Sequence, residues 1–197
     1  GERMIGNIFN MICHVLIILT LLSLFAAGQE KTAKYWEDKA TEYYINGSDE
    51  LALLCFDKSI ELDSLNTYTW MRKGDILFRR GEYAEALKAY DKAIEIDPLN
   101  PYAWETKGKI LFNQGKYSKA IQAYENSIEI DPLDVTFLNG KGNILLAQGK
   151  YEEAIMVYDN AIELASGSML HISLHNKALA LYHAGMYEES LQIYDNL

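Results

Sequence analysis

Four segments of this 197-residue chain superpose at a spacing of 34 residues. Tyr83, Tyr117 and Tyr151 keep that spacing, as do Gly81, Gly115 and Gly149, and Tyr90, Tyr124 and Tyr158. A fixed period of this length marks stacked helical hairpins, because one hairpin cannot bury its apolar face alone. Such an array offers a binding surface and not a catalytic centre.

The most regular unit runs over Thr67–Asn100 and the next over Pro101–Asp134. A more diverged unit, about 33–66, precedes them; its Trp36 lies 34 residues before Trp70. A fourth covers about 135–170 and a last about 171–197. The last is displaced by two, since Gly185 follows Gly149 by 36 residues. The extra residues fall at Ala165–Ser168 and predict a longer turn between the fourth and fifth hairpins. The chain is thus expected to be all-α, an α-solenoid of about five stacked helix-turn-helix hairpins over 33–197.

Within Thr67–Asn100, Trp70, Gly74, Leu77 and Phe78 recur at helical spacing and predict one helix, Trp70–Arg80. Gly81 is placed to end it. Tyr83 opens a second helix, in which Ala86, Leu87, Tyr90, Ala93 and Ile94 continue the pattern. Asp97–Pro98 closes that helix, because the residue before proline is driven out of the helical region. Gly74, Gly108 and Gly142 fall inside helices, where glycine costs about 1 kcal/mol. That recurring cost predicts a close neighbour, with Ala86, Ala120 and Ala154 opposite. Tyr90, Tyr124 and Tyr158 are expected to fill the space between hairpins.

These residues resemble the tetratricopeptide repeat family. Its pattern is filled by Trp70, Gly74, Leu77, Tyr83, Ala86, Tyr90, Ala93 and Pro98. It recurs as Trp104, Gly108, Leu111, Tyr117, Ala120, Tyr124, Ser127 and Pro132. In the fourth unit it appears as Leu138, Gly142, Leu145, Tyr151, Ala154, Tyr158 and Ala161, with Ser166 in the proline place. The resemblance weakens at both ends, where Ala40, Asp49, Ala178 and Ser190 depart from it.

The resemblance implies a right-handed superhelix whose concave face, lined by first helices, takes a peptide or helix of a partner protein. By register that groove would hold Arg72, Asp75, Phe78, Arg79, Glu105, Lys109, Phe112, Asn113, Asn139 and Asn143. Arg72 and Arg79 would meet an acidic ligand side chain or simply be solvated. The Lys, Asn and Arg set by which one subclass clamps a chaperone's C-terminal carboxylate is not reproduced. Glu105 stands where a base would serve, and Gly140 contributes no side chain.

Residues 8–27, IFNMICHVLIILTLLSLFAA, carry no charged side chain when His14 is neutral. Twenty helical residues span roughly 30 Å, the hydrocarbon thickness of a bilayer. Residues 1–28 therefore read as a hydrophobic N-terminal helix, a signal peptide or a retained membrane anchor. Either would place the repeats outside the cytoplasm, and a retained anchor would add the membrane as a partner. The alternative is a soluble capping helix on a cytoplasmic chain.

Lys and Arg total 18 against 28 Asp and Glu, a net charge of -10. This argues against a nucleic-acid surface, which needs clustered bases. Cys13 and Cys55 make no disulfide framework. His171 and His175 share a helical face, with His183 further on, but no acid completes a zinc-binding H-E-x-x-H set. Gly140-Lys141-Gly142 lacks the rest of a phosphate loop. Glu95 with Asp97, and Glu129 with Asp131, recur with the repeat, as solvated helix ends do. No nucleophile, base and orienting group form a set. Catalytic residues, metal and cofactor are therefore not expected. Asn46-Gly47-Ser48 matches an N-glycosylation acceptor in an expected turn.

Leu181, Leu191 and Tyr194 would lack a following helix. This predicts an unsealed C-terminal edge that is continued by further chain or self-associates. The function expected is binding of a protein or peptide of unknown identity in the concave groove. The alternative is a structural assembly element that self-associates or packs on a membrane complex.

Overall fold

The computed structural model describes residues 31–197. Among them are ten helices and no strand: α1 (Ala33–Ile45), α2 (Asp49–Leu62), α3 (Thr67–Arg79), α4 (Tyr83–Ile96) and α5 (Pro101–Asn113), then α6 (Tyr117–Ile130), α7 (Val135–Ala147), α8 (Tyr151–Leu164), α9 (Gly167–His183) and α10 (Tyr187–Asp195). They pair as five hairpins, α1–α2 through α9–α10. The second helix of each hairpin packs on the first helix of the next, and first helices also touch, α5 with α7 and α7 with α9. The all-α stack expected from the 34-residue period is the observed architecture.

Punctuation fixes the hairpins. Gly81 adopts φ +78°, a left-handed conformation open to glycine without strain. There the Glu82 amide donates to Leu77 O at 2.9 Å and the Gly81 amide to Phe78 O at 2.9 Å. That pair of bonds closes the helix C-terminus. Between hairpins, Asn100 caps α5 by accepting from the Ala103 amide at 3.2 Å. Pro101 then occupies the first turn, where its missing N–H costs nothing.

The two extra residues of the last unit do not make the longer turn that was expected. Only Ala165 and Ser166 separate α8 from α9. The two inserted residues, with two positions that form turn between the earlier hairpins, instead lengthen α9 to 17 residues, against 13 in α3, α5 and α7.

The mid-helix glycines chiefly meet aromatic rings; of the alanines expected opposite them, Ala120 lies close, its carbonyl oxygen 3.3 Å from a Cβ built on Gly108. A Cβ on Gly74 would come within 2.6 Å of Tyr90, and one on Gly142 within 2.4 Å of Tyr158. Tyr124 is held from both sides, by Gly108 of its own hairpin and Gly140 of the next. These rings are buried, as the space-filling reading required.

A ladder of ion pairs joins every hairpin to the next. Lys73 reaches Asp57 at 2.5 Å, Lys107 Asp91 at 2.7 Å, Lys141 Glu125 at 2.8 Å and Lys177 Asp159 at 2.5 Å. Each lysine lies on a first helix and each acid on the preceding second helix. The stems of Lys73 and Lys107 also place their ammonium groups over Trp70 and Trp104.

The expected transmembrane helix and membrane-anchored or exported placement are corrected. Among the described residues no helix is long and apolar enough to cross a membrane. The longest has 17 residues, about 26 Å at 1.5 Å per residue, short of the roughly 30 Å of hydrocarbon. Residues 1–28, to which that expectation attached, and the N-terminal hydrophobic helix lie outside the described residues. Cys55 is a free, buried thiol, and burial pushes its pKa up, away from reactivity.

Candidate functional site

First helices of three successive hairpins, with one ring from a second helix, enclose a cleft of about 320 Å³. Phe78 of α3 and Phe112 of α5 form its apolar walls, each tilted against the tyrosine that opens its own second helix, Tyr83 and Tyr117. Tyr124 and Gly140 form the floor, and Lys109, Asn113 and Asn143 bring polar groups to it. The glycine matters here. A Cβ on Gly140 would lie 2.1 Å from the Tyr124 ring, so any side chain would fill the cleft or push the ring out.

Five of the ten groove residues expected from register thus come together: Phe78, Lys109, Phe112, Asn113 and Asn143. The other five are engaged within the fold. Arg72 pairs with Asp75 at 2.9 Å and lies over the Tyr68 ring. Asp75 also accepts a hydrogen bond from Tyr90 Oη. Arg79 reaches back to Asp49 and lies 5.0 Å over the Tyr44 ring. Asn139 is buried and donates to Ser173 Oγ at 2.8 Å. Glu105 is buried with its Oε1 2.7 Å from Lys109 Nζ, though without hydrogen-bond geometry.

Sequence register missed Tyr124, which lies on a second helix and not on the first helices expected to line the groove. It placed Gly140 in the groove only as a position without a side chain. Burial, then the Glu105 carboxylate, push the Tyr124 phenol above its ordinary range. It is therefore a neutral apolar floor at physiological pH. Asn143 accepts from Tyr158 Oη at 2.7 Å, which leaves its amide N–H groups for the cleft.

Two larger clefts, of about 680 and 460 Å³, share no residue with this one. They repeat with the period: Leu53, Trp70 and Leu77 line one, Leu87, Trp104 and Leu111 the other. Ladder pairs cross both, Lys73 with Asp57 and Lys107 with Asp91.

The last hairpin presents a third surface. Tyr187, Leu191 and Tyr194 of α10 are 62%, 61% and 42% exposed. Of the histidines, His171 lies 3.0 Å from Gly167 O, while His175 and His183 pack on Tyr194 and Tyr151. Among the described residues no group of three or more His, Cys, Asp or Glu is placed to hold a metal ion.

A family model described as TPR repeat matches residues 74–113, and one described as tetratricopeptide repeat matches residues 106–168. A comparison with curated proteins by sequence gave no match. Solved structures of similar fold include the MamA protein, 19% identical, with a TM-score of 0.75 over 84% of this chain and 89% of that one. YrrB, described as a TPR protein with an unusual peptide-binding site, is 20% identical with a TM-score of 0.69 over 88% of each chain. A tetratricopeptide repeat protein from Parabacteroides merdae is 20% identical, with a TM-score of 0.75 over 83% of this chain and 64% of that one. At these identities the likeness is one of fold. The phased Trp, Gly, Tyr, Ala and Pro positions, the five stacked hairpins and the family matches agree: residues 74–168 of this chain are tetratricopeptide repeats.

Proposed function

We propose that this chain is a structural assembly element that self-associates through clefts repeated along its hairpins. One observation carries the proposal. Two clefts of about 680 and 460 Å³ recur one period apart, each lined by a Trp and two leucines and crossed by a ladder pair, Lys73 with Asp57 and Lys107 with Asp91. Their linings carry opposite charge at one register position, Glu85 in the first and Lys119 in the second, which suits a contact between copies.

The test follows the mass of the full chain by light scattering as concentration rises, beside a Glu85→Lys variant. Growth of mass is expected for the wild type and less of it for the variant. A constant monomer mass, or equal growth in both, would overturn the assignment of these clefts.

A second reading rests on the concave cleft. Phe78, Phe112 and Tyr124 offer an apolar seat, with Lys109, Asn113 and Asn143 as polar contacts, for one side chain of an extended partner peptide. The similar fold of YrrB, described as having a peptide-binding site, supports it. Phe112→Ala and Lys109→Glu should then weaken a peptide selected from a display library against the full chain. Unchanged affinity in both would remove the cleft from consideration.

A further inference from the structure

We propose that Asn46 is a site at which the folded chain modifies itself: its side chain loses ammonia to attack by the Gly47 amide and becomes aspartate or isoaspartate.

The sequence holds two Asn-Gly pairs, Asn46-Gly47 and Asn139-Gly140. Glycine after asparagine favours this chemistry, because no side chain crowds the attacking nitrogen or restricts the turn it must make. The fold separates the two pairs. Asn46 caps the C-terminus of α1 and is exposed. Among the described residues only its backbone is tied, its amide donating to Glu42 O at 3.2 Å. Gly47 has φ +72°, and nothing lies within 4 Å of where its Cβ would stand. Attack requires the Asn46 ψ, here 1°, to swing toward extended backbone. The open turn around Gly47 leaves room for that swing. One bond restrains the nucleophile, from the Gly47 amide to Tyr44 O at 3.1 Å. It belongs to a helix end, and helix ends fray at little cost.

Asn139 lies inside α7 and is buried. Its Nδ2, the leaving group of the reaction, donates to Ser173 Oγ at 2.8 Å. The Tyr124 ring packs so close to Gly140 that the backbone there has no space to turn. A helix centre of this kind opens only when the surrounding structure does.

The step needs no partner but water. The Gly47 nitrogen gives up its proton and bonds to Asn46 Cγ. The Cγ–Nδ2 bond breaks, and Nδ2 departs with that proton as ammonia. Water then opens the succinimide at either carbonyl. One product is aspartate; the other is isoaspartate, whose main chain runs through the former side chain and gains a methylene.

Both products place a carboxylate at the C-terminus of α1, where the helix dipole disfavours it. Isoaspartate also lengthens a turn held by the Ser48 amide bond to Tyr43 O at 2.9 Å. Asp49 and Glu50 follow that turn directly, and they receive Arg79 and Arg80 from α3. A shifted turn therefore reaches the joint between the first two hairpins.

The experiment treats the full chain with hydroxylamine, which cleaves at the succinimide, with and without urea. The native chain is expected to yield fragments 1–46 and 47–197, and the denatured chain to be cut after Asn139 as well. Asn46→Gln should abolish the native cut. An uncut native chain, or native cutting after Asn139 as fast as after Asn46, would overturn the assignment. Chain aged at mildly alkaline pH should unfold at lower urea than the Asn46→Asp variant, which carries the charge without the added methylene. Equal midpoints would overturn the effect assigned to the lengthened turn.

Discussion

Gly74 and Tyr90 share one small volume: a Cβ on the glycine would come within 2.6 Å of the tyrosine ring. The ring cannot give way easily, being 1% exposed and tied through its hydroxyl to Asp75. The glycine that weakens the helix is what admits the aromatic that fills the hairpin.

Two effects compete in Gly74→Ala. Helix propensity favours alanine by about 1 kcal/mol. Overpacking a tight core site costs about 1–3 kcal/mol. Because Tyr90 is anchored, the second should win, with a net loss of about 1 kcal/mol in urea unfolding. In a Tyr90→Leu background the same change should become neutral or stabilising. A stabilised single variant would show that the ring moves aside.

Replacing the ladder lysines should weaken the coupling between hairpins without changing the fold. Asp91→Asn removes the charge of one pair and should cost about 0.5 kcal/mol, as partly exposed pairs do. Lys107→Ala also strips the stem from Trp104 and should cost more, about 1 kcal/mol. The Asp91→Asn loss should shrink in 1 M salt, where the Debye length is about 3 Å. A loss independent of salt would assign the pair's effect to packing alone.

The buried tyrosines set an alkaline limit. Burial, then the Asp75 charge, push the Tyr90 phenol upward; burial alone does so for Tyr158. An unfolded tyrosine titrates near pH 10. Above that pH the folded state holds more protons, so stability falls as pH rises. The contribution is intact below about pH 10 and is lost progressively beyond it. Thermal midpoints should therefore be flat from about pH 8 to 9.5 and drop steeply above. Tyr124→Phe, at a ring with no hydroxyl partner among the described residues, should reduce the slope at little cost at neutral pH. Tyr158→Phe should cost about 1 kcal/mol there by losing its bond to Asn143.

The hairpins were legible because their punctuation is chemical. Gly81 can take a left-handed turn, and Pro98 cannot continue a helix. The two-residue insertion at Ala165–Ser168 was misread as turn because position alone does not say which element absorbs it. In the site, register found Phe78, Phe112 and Lys109, which alternate with the core on their helices. Arg72 and Glu105 pair within their own helices, with Asp75 and Lys109, and register could not show that Arg79 and Asn139 are held by neighbours from other helices. Those contacts depend on side-chain reach between elements, which a periodic pattern does not encode. The ladder was equally hidden: its lysines and acids are 16 or 18 residues apart, a spacing that means nothing until hairpins are stacked.

That difference separates Arg79 from Lys109 in their expected effects. Arg79 pairs with Asp49 of the preceding hairpin and covers Tyr44. Arg79→Glu would set two like charges together and expose the ring, so it should lower stability by about 1 kcal/mol. Lys109 lines the cleft, and its carboxylate neighbour Glu105 is the buried member of the pair. Lys109→Glu would leave Glu105 facing a like charge and should destabilise as well. Lys109→Met avoids the repulsion but still leaves that buried carboxylate without its cation. Arg79→Glu should thus change the urea midpoint but not the affinity of a cleft-bound peptide, because its side chain lines no part of the cleft. Phe112→Ala should change that affinity while it opens an apolar wall. Finding peptide affinity lost with Arg79→Glu, at temperatures where the variant is fully folded by circular dichroism, would extend the binding surface toward the first hairpin.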